Sequence, residues 1–463
     1  MKYMLSIKYI NSAVLTSLLA LSACGAPQYS KETLKMQITK LSEMSSNTPI
    51  PKQTKLVLSG DFISDLSRAT KNSPEYLVAR SNTTSAFDSI AVASADQKLQ
   101  VVANANAGQA IKEGSGLASS NQAGASVNLS IKKLIFDGGA SAARIDLAQA
   151  NAFIAEMDAE IVANSIANDA AVAWISLNTL NSRTRLLQKL ITKSSEMTTQ
   201  LKTLVASGMI DKSASASAEI ALRALVLEQM SLDAEISATS ANFVKYFGNL
   251  PKHLNTPTSL LTSTDLQKIQ KDWSKSPVML QTAAKVLAAK QMLIASQGSQ
   301  KPSVDFKAGV ISPMDRAERT NYAVGLELNW IIGDGGRRKA ETAAQAANLK
   351  AAEHALAAAK LAGKNILDTT LSQRKAFIAS LKILDSQEIS TQNELEIMWS
   401  QLPTGQTSVR QLIDAEEKAY RTADRKILVG GQLLTLEFEL LAQSGILMAK
   451  LALDENKKNK AQK

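Results

Sequence analysis

The chain repeats itself, and a repeat limits the fold to architectures in which one unit packs beside its own copy. Ser73-Pro74 and Ser276-Pro277 each open a helical stretch, and an offset of 203 carries Val101 onto Val304 and Ala105 onto Ala308. An offset of 197 lays Asp137-Gly138-Gly139 on Asp334-Gly335-Gly336, Gly208 on Gly405 and Ala218-Glu219 on Ala415-Glu416, with no gap from Asp137 to Glu219. The offset changes at the Gly/Ser-rich segment 108–123, opposite the shorter 312–320, and a loop is where a length change belongs. Each copy reads as a helix (73–97; 276–297), an alternating strand, a loop, a second alternating strand, Asp-Gly-Gly, a very long helix, a glycine turn and a medium helix. Repeat 1 is assigned to 73–247 and repeat 2 to 276–447, with a linker over 248–275 that carries Pro251 and Pro257. Residues 448–463, including Lys457-Lys458-Asn459-Lys460, read as a basic disordered tail.

The second strand of repeat 2 shows the clearest period of two. Tyr322, Val324, Leu326, Leu328 and Trp330 alternate with Ala323, Gly325, Glu327 and Asn329. At ~3.3 Å per residue Tyr322 and Trp330 stand about 26 Å apart, the height of an outer-membrane apolar band between two aromatic girdles. The other strands alternate more weakly: Val101, Ala103 and Ala105; Val127, Leu129 and Ile131; Val304, Phe306 and Ala308. A soluble antiparallel sheet with one wet face has the same pattern, so the strands alone leave the choice open.

The helices decide it. From Gly139 to Gly208 there is no proline, and at ~1.5 Å per residue a continuous helix there is on the order of 100 Å long, more than a compact domain needs. Leu187, Leu190, Met197, Leu201 and Leu204, and in the second copy Phe377, Leu381, Leu384, Leu395, Met398 and Leu402, recur at spacings of three and four, the seam of a coiled coil. Alanine-rich stretches such as 343–359 allow close helix approach. The two shorter helices of each copy, stacked end to end, nearly match the long one. The fold class is mainly α with a small β part, four helical rods and four strands per chain.

At the N-terminus, Lys2 and Lys8 precede an apolar stretch and then Leu21-Ser22-Ala23-Cys24-Gly25, the pattern of a secretory signal (1–23) with a lipobox. Cys24 is the expected lipidation site, 24–72 the lipid-anchored N-terminal segment, and Gly25 after the cysteine implies sorting to the outer membrane. Loss of the signal removes Lys2 and Lys8, so the formal charge of +10 becomes +8. Aromatic residues make up 4% and the lysines are scattered, which argues against a nucleic-acid surface. After the signal no apolar run approaches the ~20 residues of a membrane-spanning helix, so membrane passage falls to the strands. Cys24 is the single cysteine, and His253 and His354 are too far apart for a local zinc motif. Gly430-Gly431 lacks the lysine and spacing of a phosphate loop. No metal, cofactor or enzymatic activity is expected.

These features in this order resemble the TolC family of outer-membrane efflux and secretion channels. The resemblance covers about 73–447 and rests on the Ser-Pro starts, the duplicated strand–Asp-Gly-Gly–helix junctions, the turns Ala206-Ser207-Gly208 and Pro403-Thr404-Gly405-Gln406-Thr407-Ser408, and Leu412-Ile413-Asp414-Ala415-Glu416. It implies a homotrimer whose twelve strands close one transmembrane β-barrel in outer-membrane lipid, since an open sheet edge in lipid leaves backbone groups unpaired. The helices then form a long antiparallel coiled-coil barrel in the periplasm. It implies strand–helix junctions at Asp137, Gly138, Gly139, Asp334, Gly335 and Gly336, and an aromatic girdle at Tyr322 and Trp330. Gly208 and Gly405 match the tips that dock a periplasmic adaptor (membrane fusion) protein, itself bound to an inner-membrane RND or ABC transporter. Asp414 matches an aspartate of the periplasmic constriction, where three copies make an acidic ring. Gln411 stands where better-known members carry a second aspartate, with Arg410 beside it. The rival class is a trimeric coiled-coil adhesin or structural lipoprotein, which would collect its strands at one end of the chain; here they lie inside each repeat.

Overall fold

The computed structural model describes Met36, Thr39, Leu58 and the chain from Gly60 to Ala452, except residues 113–119, 209–210, 252–253, 314–319 and 405. Cys24, Gly405 and His253 therefore lie outside the described residues. The compact body that carries every helix and strand named below begins at Leu56.

The elements run α1 (Phe62–Lys71), α2 (Pro74–Ala95), β1 (Gln100–Lys112), β2 (Ser120–Phe136), α3 (Ala140–Ala206), α4 (Lys212–Phe247), α5 (Ser263–Asp272), α6 (Pro277–Gly298), β3 (Ser303–Pro313), β4 (Asn321–Asn329), α7 (Arg337–Gln401) and α8 (Val409–Gln443). Both repeat offsets reappear in the element bounds. α2 and α6, and the starts of β1 and β3, are 203 apart, whereas the starts of α3 and α7, and of α4 and α8, are 197 apart. Start signals are local: Ser73 and Ser276 precede prolines at the first helical position, where the missing N–H costs nothing. Asp211 caps α4, and Ser408 with Gln411 forms a capping box on α8.

The four strands form one antiparallel sheet in the order β1-β2-β3-β4, so β1 and β4 are its edges. The helices follow the same circuit. α3 touches α2, α4, α6 and α8, and α7 touches α6 and α8. A centre of large side chains sits midway along the rods: Trp174 of α3 meets Phe62, Phe243 and Phe247 at centroid distances of 5.3–5.4 Å, and Phe62 meets Phe438. The Trp174 indole N–H donates to the carbonyl of Asn255 at 3.0 Å. Of the expected seam, Leu187, Leu190, Met197, Leu201 and Leu395 are buried.

Three segments differ from the sequence reading. α1, inside the segment assigned to the lipid anchor, is folded into the core through Phe62, Leu66 and Ala69. The linker contains α5, opened by a Thr262/Asp265 capping box. Residues 447–452 are helical, with Leu447 and Leu451 fully buried, so the disordered tail assigned to 448–463 begins too early. Lys450 donates to the Leu260 carbonyl and pairs with Asp265. Burial pushes the Asp265 carboxyl upward, but its bonds from Lys450 and Thr262 outweigh that and hold it below the usual range. Among the described residues the helical stretch Ser263–Gly298 is long and apolar enough by composition to cross a bilayer, which the sequence reading did not expect. Within it, α6 packs along α3 and α7.

Candidate functional site

Pairing places residues directly opposite one another on the same face of a sheet. One row across it joins Val101, Ile131, Ala308 and Val324, and another joins Ala103, Leu129, Val310 and Tyr322. The neighbouring rows join Gln100, Lys132, Lys307 and Gly325, and Val102, Ser130, Gly309 and Ala323, with Asp305 opposite Glu327. Most positions of the four strands therefore agree on one apolar and one polar face, the exceptions being Lys133 opposite Phe306 in an apolar row and Val102, Leu134 and Ile311 in polar ones. A soluble sheet would bury its apolar face, yet Tyr322, Val324, Leu326 and Leu328 are 65–79% exposed. Among the described residues, none covers them. Trp330 lies just beyond β4, also exposed, so Tyr322 and Trp330 bracket that face. The polar face carries ion pairs, Lys132–Asp305 at 3.2 Å and Lys307–Glu327 at 2.6 Å.

Each second strand turns into its long helix through Asp-Gly-Gly. Asp137 accepts from the N–H of Gly139 at 3.1 Å and of Ser141 at 2.6 Å; Asp334 accepts from Gly336 and Arg338, each at 3.1 Å. The carboxylate thus takes up first-turn donors that the helix cannot satisfy. The glycines hold φ between +67° and +90°, where a Cβ is strained. The Arg338 guanidinium bonds Asp334 at 2.8 Å and holds its carboxyl below the ordinary range, helped by the backbone bonds. Arg338 also reaches the Ser299 carbonyl at 3.0 Å, tying α7 to the end of α6. These are structural devices, with no reactive geometry.

At the far end of the rods, Gly208 closes α3 at φ +75° with nothing near its missing Cβ. Asp414 is exposed on α8 in an open groove with Leu384 and Gln387 of α7 and with Lys418, Arg421 and Arg425. Gln411 is occupied locally, its side-chain oxygen accepting from the Ser408 N–H and hydroxyl at 2.9 Å. The structure therefore brings Asp414 and Gln411 onto one helix start, far in sequence from the junctions.

Sequence reasoning missed the polar links between α8 and the first repeat. Arg183 of α3 grips Asp424 of α8 at 2.7 and 3.2 Å. Tyr420 donates to Glu228 of α4 at 2.8 Å; burial and that carboxylate raise its hydroxyl above the usual tyrosine range. Glu416 is buried against α3, its Oε2 3.5 Å from the Ser194 hydroxyl and its Oε1 without a hydrogen-bond partner. Burial pushes the Glu416 carboxyl up against the opposing pull of Lys193, Ser194 and Trp399. Charged residues inside an otherwise apolar seam were the available signal. His354 is exposed, and among the described residues no group of three or more metal-ligating side chains occurs.

A sheet with an uncovered apolar face, continued through capped glycine junctions into coiled-coil rods, is the protomer fold of an outer-membrane channel. The chain belongs to the outer membrane efflux protein family, whose model matches residues 66–249 and 269–445, one segment for each repeat. The resemblance to TolC-type channels holds, and family membership places the chain in the outer membrane and in a family of channels. Solved structures agree on the fold. The chain is similar to the outer-membrane protein VceC of Vibrio cholerae, with a TM-score of 0.75 and 14% identity over 83% of this chain and 96% of that one. The Campylobacter jejuni channel CmeC gives a TM-score of 0.67 at 14% identity, covering 83% and 85%. The open state of Neisseria gonorrhoeae MtrE gives 0.69 at 14%, covering 84% and 89%. No curated protein sequence matches.

Proposed function

We propose that three copies of this chain form the exit duct of a tripartite efflux or type I secretion system, conducting substrate passively to the exterior. The observation that carries this reading is the uncovered apolar face of the sheet, backed by a polar face and joined without interruption to the long rods. Twelve strands close the barrel and place the polar face around the pore, and the lipid on Cys24 is an additional tether. The Gly208 and Gly405 turns dock a periplasmic adaptor, which receives substrate from an inner-membrane RND or ABC transporter. Asp414 supplies the acidic ring of the periplasmic entrance; Gln411, engaged in its capping box, supports the helix start that carries it.

Reconstitution in planar bilayers tests the duct. The protein should give stable single-channel steps with cation preference, and Asp414→Ala should weaken both that preference and block by multivalent cations. Unchanged behaviour in Asp414→Ala would remove the gate assignment, and an absence of conductance in the unsubstituted protein would remove the duct. A Thr404→Cys variant carrying a photo-crosslinker should capture a periplasmic adaptor; capture of none would count against docking at the tips.

A further inference from the structure

Resting on the channel reading above, which sets the apolar face of the sheet against lipid, we propose that Lys133 binds the phosphate of an anionic phospholipid in the leaflet at the helical end of the barrel. Among the described residues of the sheet, Lys133 is the one charged residue in an apolar row.

Pairing puts Lys133 opposite Phe306, which in turn stands opposite Leu326. The apolar rows on either side are Ile131, Ala308 and Val324, and Phe136, Val304 and Leu328. The preceding residue, Lys132, lies on the polar face and pairs with Asp305 at 3.2 Å. Lys133 is exposed and, among the described residues, no carboxylate pairs with it. A neighbouring copy cannot place a strand beside it, because β2 is an inner strand flanked by β1 and β3 of its own chain. A charge that faces hydrocarbon is costly until it meets a partner or reaches the interface. Here the partner has to come from the membrane.

The internal repeat sets the depth. The offset of 197 that carries Asp137 onto Asp334 carries Lys133 onto Trp330, so the first repeat has an ammonium where the second has the indole at the end of the apolar face. Tryptophan and lysine both settle at headgroup level. The indole does so as an amphipathic ring, and the lysine by laying its methylenes along apolar neighbours and extending its charge to the phosphates. Phe136 and Leu328, 50% and 65% exposed, supply apolar surface on the side toward the helices. A zwitterionic headgroup carries its own amine beside the phosphate, whereas an anionic one leaves the phosphate charge uncompensated. The anionic lipid is therefore favoured, by about fivefold for one lysine near the surface.

Native mass spectrometry of the detergent-purified full chain, incubated with equal amounts of phosphatidylglycerol and phosphatidylethanolamine, reads this preference, and the oligomer mass of each variant checks that it has folded. The unsubstituted protein should retain phosphatidylglycerol about fivefold over phosphatidylethanolamine. Lys133→Arg should keep the preference and Lys133→Ala should abolish it. Lys133→Trp, which copies the second repeat into the first, should hold lipid without choosing between the two. Trp330→Lys, which copies the first repeat into the second, should double the number of phosphatidylglycerol molecules retained. No preference in the unsubstituted protein, its survival in Lys133→Ala, or no gain in Trp330→Lys overturns the site. The mass separates this failure from that of the reading beneath it. A three-copy mass without lipid preference removes only the site, and a one-copy mass removes the oligomeric channel.

Discussion

The two long helices are copies of one another in sequence and opposites in environment. α3 buries 25 of its residues and α7 only 5. Composition does not explain this, because both are alanine-rich and carry a period of three and four. Position does: α3 packs against α2, α4, α6 and α8, whereas among these long helices α7 packs against α6 and α8 alone. α7 therefore shows what α3 would look like if the repeat before it were taken away. Leu227 and Met230 on α4 and Ile383 and Ile389 on α7 are large apolar residues left 62–67% exposed.

Three experiments follow from this contrast. The largest effect is expected from Trp174→Ala, which opens a cavity among Phe62, Phe243 and Phe247 and should cost about 3–5 kcal/mol in thermal unfolding. Leu371→Ala, its half-buried counterpart on α7, should cost clearly less; an equal loss would mean that α7 is as enclosed as α3 in the working protein. Next, Arg183→Ala strands the half-buried Asp424 and should cost about 1–3 kcal/mol. Ser380→Ala, at the matching place on α7, should stay within about 0.5 kcal/mol, and a double-mutant cycle with Asp424→Asn should recover most of the Arg183 loss. The smallest effect is that of Glu416→Gln. Because the packed state raises the Glu416 carboxyl, it binds that proton more tightly than the unfolded chain does, and stability falls as pH climbs through the raised value. The amide should gain about 1 kcal/mol above that pH and nothing at acid pH, where the carboxyl is already neutral. A gain that ignores pH would point to packing instead.

What the sequence made legible was local or periodic. The two offsets, the Ser-Pro starts and the Asp-Gly-Gly junctions each act within a few residues, and the alternation of β4 and the leucine seam of α3 depend only on element period. The folded centre between the rods left no such trace. Phe62, Trp174, Phe243 and Phe438 meet across almost the whole chain, and no period links them. α1 and α5 were missed for a different reason: each is 10 residues long, too short for an apolar period to stand out. Their capping residues, Asp61 and the Thr262/Asp265 pair, were nonetheless readable. Among the site residues, Asp137 and Asp334 were found by their motif, whereas Arg183, Tyr420 and Glu416 act through partners on other helices.

The closing of that centre has a consequence for the order of events during biogenesis. Phe438, Leu440, Leu441, Leu447 and Leu451 complete the pocket begun by Phe62 and Trp174, and the Met448 N–H is held by the Asn164 side chain at 3.2 Å. A polypeptide delivered from its N-terminus presents these residues after every strand and both long helices have emerged. Until then the rods lack the clasp at their waist, and an incomplete chain has no means of imitating a finished one.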